Sequence, residues 1–164
     1  MSLTDLNLLH LASLPGVDWN VSQKGWKDIK LNYIQVFVYG TLKPGEVNYQ
    51  FYCAEYVVQF FPAVAKGLLY KLPVGYPAMT KGNSNVYGFV LSFQSPKVLS
   101  KLDKLEDYHP ECPPEKNEYQ RQSINTFSSD KKYIYRVWSY LMSPEKEELL
   151  NAQILPGGFW TGKT

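Results

Sequence analysis

Two short segments of this chain hold residues whose types and spacing could do acid–base chemistry. The first, Val36-Phe37-Val38-Tyr39-Gly40-Thr41-Leu42-Lys43-Pro44-Gly45, drives an apolar run into a glycine and follows it with a Pro-Gly turn signal. A strand that ends this way presents several backbone N–H groups in a tight loop, which can hold a carboxylate or a developing oxyanion. The second, Leu102-Asp103-Lys104-Leu105-Glu106, sets an acid among apolar positions. The pair suggests an enzyme for small acidic substrates.

The acid depends on a helix for its direction. Ser95-Pro96 reads as an N-cap followed by a proline tolerated at the first helical position. At about 100° per residue, Val98, Leu99, Leu102 and Leu105 form one apolar stripe, and Glu106 falls inside it. Lys97, Lys101, Lys104 and Asp107 fall on the opposite side and Asp103 at the margin. A helix that continues to Glu106 points this carboxylate at the core, where desolvation raises its pKa toward neutrality and lets it exchange protons. A helix that frays at Leu105 leaves it in solvent, against the macrodipole. Tyr119 and Arg121 alternate on a later strand and share a face; the arginine there either holds a carboxylate or pairs on the surface. The two histidines, His10 and His109, stand in no triad arrangement with Ser and Asp.

The elements that carry these segments are mostly strands. Strands are expected at Ile34–Tyr39, Phe61–Lys71 (broken by Pro62 and Gly67), Val86–Phe93, Glu118–Phe127 and Lys132–Met142, with helices over Asn48–Tyr56, from Pro96, and over Glu145–Asn151. Pro73, Gly75 and Pro77 mark turns, and Pro113-Pro114 an exposed loop. Five or more strands with few intervening helices argue against a doubly wound parallel sheet. The expected class is α+β, a small mixed β-barrel with a few flanking helices. Residues 1–33 read as an arm, with a short amphipathic helix around Leu6–Leu14 and with Trp19 and Trp26 pinning it to a body of 34–164.

The chain has 164 residues, enough for one domain with a sizeable core. Its formal charge of +2 is too small to argue for nucleic acid. Cys53 and Cys112 are too few for a zinc or redox pair and read as free thiols in a reducing cytosol. Asp5 and the lack of a basic n-region argue against a signal peptide, and no apolar run approaches the roughly 18 residues of a membrane span. A cytoplasmic protein without metal or cofactor, with no nucleic-acid or membrane partner, is expected.

From about Val36 to Trp160 the chain resembles the gamma-glutamylcyclotransferase-like, or avirulence-induced-gene-like, family. The resemblance rests on Tyr39-Gly40-Thr41-Leu42 with Gly45 and Asn48, on the Leu-Asp-x-x-Glu pattern of Leu102–Glu106, and on Tyr119-Gln120-Arg121, in the family's order and spacing. It extends at the C-terminus to Gly158 and Trp160 alone, because Gly157 and Phe159 replace a usual Ser and acid. The resemblance implies a small β-barrel with its site in a cavity at the mouth. It implies Glu106 as catalytic acid/base, and Tyr39, Gly40, Thr41 and Leu42 cradling a glutamyl moiety. Tyr119 and Arg121 are carried over as substrate-binding residues. The implied reaction cyclises a small γ-glutamyl amine or amino acid to 5-oxoproline. The alternative is a non-catalytic small-molecule-binding or interaction module on the same fold.

Overall fold

The computed structural model describes residues 33–163 except 129 and 133. The expected arm at 1–33, its helix and its tryptophans therefore lie outside the described residues, apart from Tyr33.

Strand β1 (Ile34–Val38) is apolar and buried toward its C-terminal end. Strands β2 (Val57–Lys71) and β3 (Pro77–Phe93) form one long antiparallel hairpin, paired from Lys71 opposite Pro77 to Val57 opposite Phe93 with register shifts at Gly67 and near Val57. The expected break at Pro62 and Gly67 does not occur, and β2 is continuous. Pro62 is tolerated because the second ladder on β2, to β4 (Gln120–Phe127), pairs only Val64 and Ala65. Gly67 sits at a register shift: its partner is Ser84, while the next residue, Leu68, faces Thr80. A β-carbon on Gly67 would stand 2.8 Å from the Thr80 carbonyl oxygen, so the close approach at this bulge requires glycine. Pro77, expected in a turn, opens β3 instead.

β4 pairs antiparallel with β5 (Ile134–Leu141) along its whole length, and β5 meets β1 in parallel at Val36 and Trp138. With β1 antiparallel to the end of β3, the ring β1-β3-β2-β4-β5 closes. This is the mixed five-stranded barrel that the strand count and resemblance predict. A two-residue strand β6 (Gln153–Ile154) extends the sheet on β2.

The alternation expected over Val86–Phe93 is present, yet both faces are buried. Val86 and Val90 join Phe37, Phe61, Met79 and Val137 in a cluster drawn from the barrel strands, which fills the interior. Tyr87, Phe89, Leu91 and Phe93 face the other way, onto Val98 and Leu102 of helix α2 (Lys97–Leu105). The barrel wall is thus packed on both sides, and α2 is fixed against it by its apolar stripe. Helix α1 (Tyr49–Tyr52) is shorter than the Asn48–Tyr56 expected. Past Cys53 the chain turns back, with the Tyr56 and Val57 N–H groups both donating to the Cys53 carbonyl. The helix expected at Glu145–Asn151 is a single 3-10 turn, Glu147–Leu149. Among the described residues no helix is long and apolar enough to cross a membrane.

Candidate active site

The loop after β1 and the end of α2 meet at one cavity of about 200 Å³. Tyr39, Gly40, Thr41 and Leu42 line it, as do Leu105 and Glu106. Tyr76, Pro77, Glu118, Tyr119 and Tyr140 complete much of the rest. The two segments singled out in the sequence, 66 residues apart between Gly40 and Glu106, are therefore neighbours in space.

Local chemistry shapes the loop. The Lys43 N–H donates to the Gly40 carbonyl at 3.0 Å, closing a turn. Asn48 holds Thr41 twice, through its amide N–H to the Thr41 carbonyl (2.9 Å) and its side-chain nitrogen to Thr41 Oγ1 (3.0 Å). A β-carbon on Gly40 would fall 2.5 Å from Pro77 Cγ, so only glycine lets the loop pass beneath β3. Among the described residues no protein acceptor is recorded for the Gly40, Thr41 and Leu42 N–H groups, which leaves them for a ligand.

The loop is braced from behind by the C-terminal segment, which sequence reasoning left without a role. Lys43 is fully buried and its Nζ donates to the Trp160 carbonyl, 4.1 Å from the centre of the Phe159 ring. Burial brings its ammonium down to about 8, opposed by the nearby Glu46 carboxylate. Glu46 in turn accepts from Thr161 Oγ1 (2.7 Å) and the Gly162 N–H (3.1 Å). The Trp160 indole N–H donates to the Gly75 carbonyl at 3.1 Å. Gly158 has φ +69°, and a β-carbon there would meet the Asn85 carbonyl oxygen at 1.9 Å. That pins the tail to β3, and the Gly158 carbonyl accepts from the Tyr87 N–H.

Helix α2 ends at Leu105, and Glu106 at its C-cap stays half-buried. Its N–H still donates to the Leu102 carbonyl at 3.0 Å, and its own carbonyl accepts from the Tyr119 N–H at 3.3 Å. Asp107, at φ +49°, then turns the chain away. The fraying and inward-pointing alternatives each caught part of this: the boundary falls where fraying would put it, while the last helical hydrogen bond and the Tyr119 contact keep the side chain at the cavity. Burial pushes the Glu106 carboxyl up to about 8, with the Glu118 charge adding to the rise.

The surrounding tyrosines are fixed by hydrogen bonds. Tyr39 OH donates to the Tyr140 carbonyl (2.7 Å) and accepts from the Met79 N–H (3.3 Å). Tyr119 OH donates to the Pro77 carbonyl at 2.9 Å. Tyr140 OH donates to Asp103 Oδ1 at 2.7 Å. Burial, more than any neighbour, drives all three hydroxyls well above the usual tyrosine range, so they stay neutral.

Arg121 is the one candidate that the fold does not bring to the cavity lining. Its guanidinium binds both oxygens of Asp103 (3.1 and 2.9 Å) and stacks near Tyr108 and Trp138. Neither alternative fits in full: the arginine does hold a carboxylate, but it is Asp103 of this chain, and the pair is mostly shielded rather than on the surface. Through Asp103 it holds Tyr140, so it acts on the cavity from behind. Sequence reasoning missed Glu118, Tyr76 and Tyr140. Glu118 directly precedes Tyr119, and its adjacency to that motif was the available signal; Tyr76, in the hairpin loop, carried none. Among the described residues no group of three or more His, Cys, Asp or Glu could hold a metal ion.

Comparison with known proteins bears on the family and the fold. Residues 36–162 match the model of the family described as "Gamma-glutamyl cyclotransferase, AIG2-like". A protein of Vibrio cholerae serotype O1 named "Putative gamma-glutamylcyclotransferase" is 34% identical over 102 residues, covering 62% of this chain and 81% of that one. The fold is similar to the crystal structure of an AIG2-like protein from Mus musculus (TM-score 0.50, 19% identity, 81% of this chain and 97% of that one). It is similar as well to a solution structure from Arabidopsis thaliana (TM-score 0.56, 22% identity, 74% of this chain and 76% of that one).

Proposed function

We propose a reaction from a shown premise: the chain belongs to the gamma-glutamyl cyclotransferase, AIG2-like family. The proposed reaction cyclises the γ-glutamyl group of a small γ-glutamyl amine or amino acid, releasing 5-oxoproline and the free amine. The observation that supports the reading is that one small cavity is lined both by Gly40–Leu42 and by Glu106, whose carboxyl is raised by burial.

The chemistry asks little of the protein. The nucleophile is the substrate's own α-amine, so proximity is built into the molecule. That amine sits beside a free α-carboxylate and is protonated near neutral pH. Glu106, brought to about 8, takes the proton. The amine attacks the γ-carbonyl carbon, and the C–N bond of the ring forms. The Gly40–Leu42 N–H groups hold the glutamyl carboxylate or the carbonyl oxygen as it gains charge; one such donor is typically worth about 3 kcal/mol. Glu106 returns its proton to the leaving nitrogen, the old C–N bond breaks, and a second proton passes from the ring nitrogen to the departing amine. Charge and protons balance without a cofactor.

The test is direct. Incubation with γ-glutamyl amines, γ-glutamyl amino acids and glutathione, followed by mass spectrometry, should detect 5-oxoproline from at least one. Glu106→Gln should lower turnover by a factor of about a thousand or more while ligand binding persists. Full activity in that variant removes Glu106 from the mechanism, and binding without product from the unaltered protein favours a non-catalytic module.

A further inference from the structure

The mechanism above leaves one carboxylate of the cavity unused. Glu118 stands on the segment that pairs with the end of α2: its N–H donates to the Asp107 carbonyl at 3.1 Å, next to the Tyr119–Glu106 bond. It lines the same cavity as Glu106. Tyr76 OH donates to its Oε1 at 2.7 Å and fixes it at the mouth. Among the described residues no donor reaches its second oxygen.

We propose that Glu118 is a substrate-binding residue that holds the α-ammonium of the γ-glutamyl group beside Glu106. The assignment rests on the γ-glutamyl reading and deepens it by naming the group that recognises the amine. Two carboxylates facing one cavity repel each other, and a substrate cation placed between them relieves that repulsion. The loop amides that line the same cavity suit the α-carboxylate on the same carbon of that substrate. A zwitterionic glutamyl head would thus be read at both charges, with the ammonium delivered to the base that must deprotonate it.

Other titratable groups in or near the cavity do not offer the same service. Tyr39, Tyr119 and Tyr140 are locked neutral in hydrogen bonds, and Cys53, pushed up to about 12 by burial, is a neutral thiol. Tyr76 is held up to about 12 by burial and its bond to Glu118, so it too donates without charge. Beyond Glu118 lies a second, more open hollow whose lining mixes Lys116 and Lys146 with Asp107, Glu147 and Glu148. Those outer charges face Glu118 from its solvent side. Lys146 is already bound to the Glu115 carbonyl.

The test compares a γ-glutamyl amine with its desamino analogue, the matching glutaric acid monoamide, which cannot cyclise. Binding is measured by calorimetry on Glu106→Gln and on Glu106→Gln/Glu118→Gln. The first variant should prefer the amine, and the second should lose that preference by about tenfold, as expected for one lost charge-assisted contact. In the otherwise unaltered enzyme, Glu118→Gln should raise KM more than it lowers kcat and move the acid limb of the rate profile to lower pH, with Glu118→Asp restoring part of both. A preference that survives in the double variant overturns the Glu118 assignment alone. Binding of neither ligand, together with no 5-oxoproline from the unaltered protein, overturns the γ-glutamyl reading and this assignment with it.

Discussion

Glu106 links protonation to folding as well as to chemistry. Its ordinary carboxyl value of 4.5 rises to about 8 in the folded protein, so between these values the native state binds the proton more tightly than the unfolded chain. Stability from this group is therefore complete below about 4.5 and is lost as pH rises through about 8. Replacement by glutamine, neutral at every pH, removes the dependence. Glu106→Gln is expected to flatten the fall of unfolding free energy across that window, and at pH 9 to be the more stable protein by on the order of 2 kcal/mol. Denaturant titrations at pH 5, 7 and 9 check it; parallel curves for the two proteins would show that the carboxyl is not raised. The sequence pointed to this residue because one helical stripe contains it. Adjacency to Tyr119 is the only mark Glu118 carries in the sequence; its place near Glu106 comes from a backbone pairing between segments 12 residues apart.

Elements position the site in pairs. The loop after β1 keeps its shape through Asn48 in front and Lys43 behind, and the Lys43 contact reaches across 117 residues to Trp160. Lys43→Met keeps the volume and removes the donor. Buried cations replaced by apolar groups of similar size often cost little stability, so thermal unfolding should shift by only a few degrees. The freed loop should lower kcat/KM for 5-oxoproline release by about tenfold or more. An unchanged kcat/KM would show that the loop holds its turn without the brace. Helix α2 is tied in a comparable way. Lys101 reaches the Phe51 carbonyl at 3.0 Å and sits over the Tyr56 ring, joining α2 to the segment around α1, while Asp103 gathers Arg121 and Tyr140. The lysines of this helix read in sequence as a solvated face, and Lys101 shows how a charged side chain on that face can still hold two elements together.

At the scale of the whole molecule, the C-terminal segment is brought to bear on the middle of the chain. The tail lies against β3 at Gly158, where positive φ and the Asn85 carbonyl leave no room for a side chain. Gly158→Ala is expected to destabilise the fold by about 2–4 kcal/mol, read as a lower denaturant midpoint with an unchanged slope, and to weaken turnover through the Trp160–Lys43 contact. A midpoint equal to that of the unaltered protein would show that the tail moves aside freely. The sequence by itself determined the strand-rich class, the turn at Gly40 and the α2 stripe in which Glu106 falls, because these follow from periodicity and local residue chemistry. Tertiary structure alone decided the continuity of β2 through Pro62, the diversion of Arg121 to Asp103, the joining of Glu118 to Glu106, and the burial of Lys43 beneath the tail. Each depends on which distant segment closes against it, and such contacts leave no period in the chain.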